Sequence, residues 1–112
     1  MGGRHDRDYL EHILRAAEAI GRSAARGRER FLADDDAFDA GLRRLHTIAE
    51  STQRLSDELK DRHQEIPWAR IAGFRNRIVH AYMDVDPDLI WSVIVDELPP
   101  LIRLATAELG CP

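Results

Sequence analysis

Three observations in this 112-residue sequence predict an all-α fold, an antiparallel bundle of four to five helices. Apolar residues recur at steps of three and four, the spacing of one helix face. Aspartates and prolines stand where helices begin. No segment shows the alternation of a half-buried strand, an internal repeat or a low-complexity tract. The length suits one domain over residues 1–112, large enough to form a core without metals or disulfides.

Leu10, Ile13, Leu14, Ala17, Ile20 and Ala24 fall on one stripe of a first helix. That pattern lapses at Gly27-Arg28-Glu29-Arg30, which reads as a connection. Asp34-Asp35-Asp36 supplies a cap and favourable charge for a second, longer helix carrying Phe38, Leu42, Leu45, Ala49, Thr52, Leu55 and Leu59. Pro67 opens a third helix with Trp68, Ile71, Phe74 and Ile78 on its core face. Asp86 caps a fourth at Pro87, with Leu89, Ile90, Val93, Ile94 and Val95 following. Pro99-Pro100 is expected to kink or break it before a final stretch through Leu109, ended by Gly110.

The composition excludes several classes. Sixteen basic residues against twenty acidic ones give a net charge of −4, unlike proteins that coat nucleic acid by charge alone. Cys111 is the one cysteine, so neither an intrachain disulfide nor a zinc motif is expected, and no cofactor is implied. No apolar run approaches the ~20 residues of a bilayer span, and no signal-peptide core follows Met1. A cytoplasmic protein without a membrane partner is the expectation. His5, His12, His46 and His63 lack metal-ligand spacing and read as solvated or locally bonded side chains.

One segment differs in sign. Between Ile66 and Met83 the chain has Arg70, Arg75 and Arg77 and no acid. Such a local excess can bind phosphate at one place while the rest of the surface repels polyanion. On a helical wheel with Arg75 at zero, Tyr82 lies about 20° to one side, and Asn76 and His80 about 100° and 140° to the other. Ile71, Phe74 and Ile78 lie opposite Asn76 and His80. Arg77 points away. A surface helix with merely solvated histidine and arginine is the alternative reading.

An imidazole near neutral pKa exchanges protons with a ribose 2′-hydroxyl or a leaving oxygen. A guanidinium grips phosphate bidentately and stabilises its transition-state charge. The pair suits metal-independent cleavage of RNA, which carries its own nucleophile. One histidine does not readily serve as both base and acid, and a symmetric dimer would supply two.

Arg75, four residues, His80, one residue and Tyr82 match the Arg-x4-His-x-Tyr motif of HepT-like toxins in the HEPN superfamily. Ile48-Ala49-Glu50-Ser51 through Leu55-Ser56, Ile66-Pro67-Trp68, Gly73-Phe74-Arg75-Asn76, Leu89-Ile90-Trp91 and Leu98-Pro99 also resemble that family in order and spacing. The chain departs from it at Ala49, where glycine is expected. The resemblance implies a homodimeric HEPN bundle with both motifs at an interface cleft. It also implies an endoribonuclease acting as the toxin of a type VII toxin–antitoxin system. The partner would be a cognate MntA-like minimal nucleotidyltransferase that silences the toxin by transferring AMP to tyrosine. Carried over, Arg75 and His80 are catalytic, Tyr82 is the AMPylated residue, and Asn76 and Glu50 are helpers. The competing expectation is a non-catalytic HEPN module that binds a nucleotide or assists a nucleotidyltransferase.

Overall fold

The helix-start residues act where they stand in the chain. The structure, a computed structural model, describes residues 3–80 and 86–110, with side chains for 5–76 and 86–110. Helix α1 spans Gly3–Ala24 and buries Leu10, Ile13, Ala17 and Ile20. Helix α3, Asp35–Gln53, begins at Asp34, whose side chain accepts from the Ala37 amide at 3.1 Å. That bond, followed by one to Arg26, holds the Asp34 carboxyl below its usual range, as a cap should. Asp86 likewise accepts from the Asp88 amide and opens α6, Pro87–Ser92, with proline in the first turn. The fold is all-α among the described residues, as the periodicity predicts.

Three expectations need correction. Gly27 does turn the chain, with φ at 106°, but Arg28–Ala33 then forms a short helix, α2. Its anchor is Phe31, whose side chain is fully buried. The Phe31 ring lies against Gly41 of α3 so closely that an added Cβ would meet its Cζ at 2.8 Å. Phe38 and Trp91 flank the same ring at centroid distances of 6.2 and 5.9 Å. One aromatic seat therefore folds a stretch whose polar neighbours read as a connection.

The second correction concerns the long helix expected through Leu59. It stops at Gln53, and a separate helix α4 covers Asp57–Arg62. Ser56 caps α4, its Oγ accepting from the Leu59 amide at 3.1 Å. The buried Asp6 carboxylate in turn accepts from the Ser56 amide at 2.8 Å and from its hydroxyl at 2.6 Å. Leu55 and Leu59 stay buried on both sides of the break, so the apolar period runs through it. The same bonds join the start of α1 to the end of α3, which makes those two helices antiparallel.

Third, Pro99 and Pro100 do not break the last helix. A π-helical segment, Val93–Glu97, leads without interruption from α6 into α7, Leu98–Gly110. The Leu98 amide bonds back to the Val93 carbonyl, five residues earlier. The prolines thus lie just after the π turn, and their missing N–H groups leave carbonyls of that wider turn without helical donors. Four rods result: α1, α3, α5 (Trp68–His80) and the continuous α6–π–α7.

Their shared core includes Leu45, Ile48, Ile71, Ile90, Leu101 and Leu104. His63 Nε2 donates to Glu108 Oε2 at 2.6 Å and Arg62 reaches the other oxygen at 3.1 Å, tying α4 to α7. His63 is thus locally bonded, as expected. Among the described residues no helix is long and apolar enough to cross a membrane.

Candidate active site

Helix α5 starts on the Pro67 carbonyl, which accepts from the Ile71 amide at 3.1 Å. Ile71 is buried and Phe74 packs against the core, which fixes how the helix is rotated. That rotation brings Arg75 to α3. Its Nε donates to Glu50 Oε1 at 2.6 Å, and its Nη2 lies 2.5 Å from the same oxygen. Nη1 donates to Asn76 Oδ1 at 3.1 Å. The expected helpers Asn76 and Glu50 therefore both meet Arg75.

Glu50 stands beside Ala49, which is only 1% exposed in the core. The methyl group at the position where glycine is expected is thus packed without displacing Glu50 from Arg75. The hydrogen bond from Arg75 is the main reason the Glu50 carboxyl lies below its usual range. Partial burial opposes the shift, and the charges of Arg75, His46 and Arg54 add to it. His46 Nε2, one turn earlier on α3, is 3.6 Å from Glu50 Oε1, beyond hydrogen-bond reach, and that buried nitrogen has no hydrogen-bond partner among the described residues.

These contacts reduce the positive patch read from the sequence. Arg70 pairs with Glu97 of the π segment at 2.7 Å, and Arg75 with Glu50. Carboxylates from other elements thus compensate two of the three arginines. His80 ends α5, one turn after Asn76, and its side chain lies outside the description, as do those of Arg77 and Ile78. Tyr82 lies outside the described residues altogether.

Arg75 and Glu50 open onto a polar cleft of about 600 Å³, also lined by His5, Asp6, Tyr9 and Arg54. The sequence reading missed Tyr9 and Arg54 as part of this site. Arg54 was detectable, because it follows Glu50 by four residues and so shares its helix face. Tyr9 comes from α1 and is brought in by tertiary packing, with no local signal. Among the described residues no group of three or more His, Cys, Asp or Glu side chains is placed to hold a metal ion.

The sequence of residues 10–107 matches the family described as ribonuclease HepT-like. The chain belongs to the HepT-like family. It is 38% identical over 96 residues to a candidate RNase of Caldanaerobacter subterraneus subsp. tengcongensis, covering 85% of this chain and 86% of that one. It is 34% identical over 99 residues to a candidate ribonuclease HepT of Thermococcus cleftensis, covering 88% and 90%. A Methanocaldococcus jannaschii protein named as gamma-glutamylcyclotransferase and candidate RNase is 31% identical over 94 residues, 83% of this chain and 42% of its own length. No solved structure matches. In this HepT-like chain, the Arg75–Glu50 contact joins the helix that carries Arg75 to His80 and the helix that carries the Ile48–Ser51 segment.

Proposed function

We propose that this HepT-like protein is a metal-independent endoribonuclease, the toxin of a type VII toxin–antitoxin pair, acting as a homodimer. Arg75 holds the scissile phosphate and His80 takes the proton from the ribose 2′-hydroxyl. The 2′-oxygen bonds to phosphorus, the bond to the 5′-oxygen breaks, and the histidine of a second copy returns a proton to that oxygen. A cyclic phosphate and a free 5′-hydroxyl result. The observation that carries this reading is Arg75, oriented by Glu50 and Asn76 at the edge of a polar cleft, in a chain of a ribonuclease family.

Control falls on Tyr82, two residues beyond His80. AMP added there by a cognate MntA-like nucleotidyltransferase would bring a phosphate close to Arg75 and compete with RNA. The test is to express the intact chain, Arg75→Ala and His80→Ala, and to follow growth and RNA cleavage with and without chelator. Chelator-resistant cleavage by the intact chain and its loss in both variants are expected. A folded intact chain that cuts no RNA and leaves growth unchanged overturns the reading. Coexpression with the nucleotidyltransferase should add whole AMP units to the mass, and Tyr82→Phe should abolish them.

The compensation of Arg70 and Arg75 by carboxylates favours one competitor, a non-catalytic HEPN module that binds nucleotide. It would show saturable nucleotide binding with no strand scission.

A further inference from the structure

We propose that the cleft beside Arg75 is a subsite for one further nucleotide of single-stranded RNA, with Arg54 on its phosphate and the Tyr9 ring against its base. This rests on the ribonuclease reading and extends it to residues outside the motif.

The cleft, at about 600 Å³, is within the size range of small-ligand sites. Its two carboxylates are engaged. Asp6 accepts both Ser56 bonds, and Glu50 holds Arg75. Arg54 is exposed, and among the described residues it forms no ion pair. It follows Glu50 by four residues, about 6 Å along the helix axis, as the C-cap of α3, and lines the same cleft as Arg75. A strand whose scissile phosphate meets Arg75 therefore has a second cation within the same cleft for a further phosphate. The need for that cation is electrostatic, because Glu50 already compensates much of the charge of Arg75.

Tyr9 supplies the aromatic surface. It lies one turn after His5 and three residues after Asp6, so the three share a face of α1 toward the cleft. Its half-buried ring packs on the core and meets His12 edge to face, with centroids 6.2 Å apart and planes at 81°. A ring held in this way stacks a base with little loss of freedom. Unpaired bases are bound by such stacking in RNA-binding proteins of many folds.

The test is anisotropy titration of a labelled uridine hexamer with 2′-methoxy groups, which lack the attacking hydroxyl, across a salt series. The full-length chain is compared with Arg54→Gln, Arg54→Lys, Tyr9→Leu and Tyr9→Phe. Arg54→Gln should weaken binding several-fold and lower the slope of log Kd against log salt by about 0.7, the value for one lost phosphate contact. Arg54→Lys should restore the slope. Tyr9→Leu should weaken binding about tenfold, and Tyr9→Phe should not. Arg54 is exposed, so its variants report even where a Tyr9 variant folds poorly. Wild-type affinity and salt slope in Arg54→Gln, or wild-type affinity in folded Tyr9→Leu, overturns the role given to that residue. If the unaltered chain still cuts RNA, the ribonuclease reading survives that result. An unaltered chain that neither binds the hexamer nor cuts RNA overturns both.

Discussion

Glu50 Oε1 accepts from Nε of Arg75 at 2.6 Å and lies 2.5 Å from its Nη2, so one carboxylate oxygen grips the side edge of the guanidinium. Asn76 takes one N–H of Nη1. An N–H on each terminal nitrogen is left over for a ligand, in a plane set by two helices rather than by one flexible side chain. Orientation of this kind is what a phosphate-binding arginine gains from a carboxylate neighbour, at the expense of part of its charge.

Removing the grip should affect catalysis more than folding. Glu50→Gln keeps the shape but weakens the bond, and Glu50→Ala removes it. We expect RNA cleavage to fall by about tenfold to a hundredfold, because small displacements of a positioning group carry penalties of that size. The melting temperature should change little, since both side chains are about one-third exposed and such pairs add little to stability. A large loss of stability with unaltered turnover per folded molecule would make the pair structural.

The same pair sets a pH expectation. The Arg75 hydrogen bond lowers the Glu50 carboxyl from its usual 4.5. A group depressed on folding contributes fully above its unfolded value and loses that contribution as pH falls through the folded value. The grip on Arg75 therefore does not titrate between about pH 5 and pH 8, the window in which histidine does. Glu50→Gln should lower cleavage by a constant factor across that window. A factor that shrinks toward pH 5 in rate–pH profiles would place the titration of Glu50 inside it and contradict the lowered carboxyl.

The parts of this molecule that were legible in the sequence are those decided locally. Asp34 and Asp86 cap helices because a short side-chain acceptor reaches amides two or three residues on. Arg75, Asn76 and Glu50 were legible as candidates from spacing and resemblance. Their hydrogen bonds depend on the rotation of α5, which Ile71 and Phe74 set through the core. The break at Ser56 was hidden because Leu55 and Leu59 keep the apolar period across it, and what fixes it is Asp6, fifty residues away. Helix α2 was hidden because its fully buried residue, Phe31, gains its meaning from Gly41. Arg70 read as free positive charge because its partner, Glu97, lies on another rod.

Two glycine substitutions should have opposite effects. At Gly41 an added methyl meets the Phe31 ring at 2.8 Å, and Phe38 and Trp91 restrict where that ring can go. Gly41→Ala should cost about 1–3 kcal/mol in denaturant unfolding, as overpacked cores do. At Gly21, within α1, nothing stands within 4 Å, so Gly21→Ala should gain up to ~1 kcal/mol of helix propensity. Equal effects at the two sites would deny the close seat of Phe31.

Asp6 should prove to be the strut between α1 and α4. Asp6 is only 6% exposed, and its carboxylate accepts from both the amide and the hydroxyl of Ser56. Asp6→Ala leaves these donors without their acceptor, a loss of about 1–3 kcal/mol for buried groups. Asp6→Asn retains one acceptor oxygen and should lose less. Because Ser56 also caps α4, amide exchange in Asp57–Arg62 should accelerate in Asp6→Ala more than exchange in α7. Uniform acceleration along the chain would instead mark a global loss of stability without the local strut.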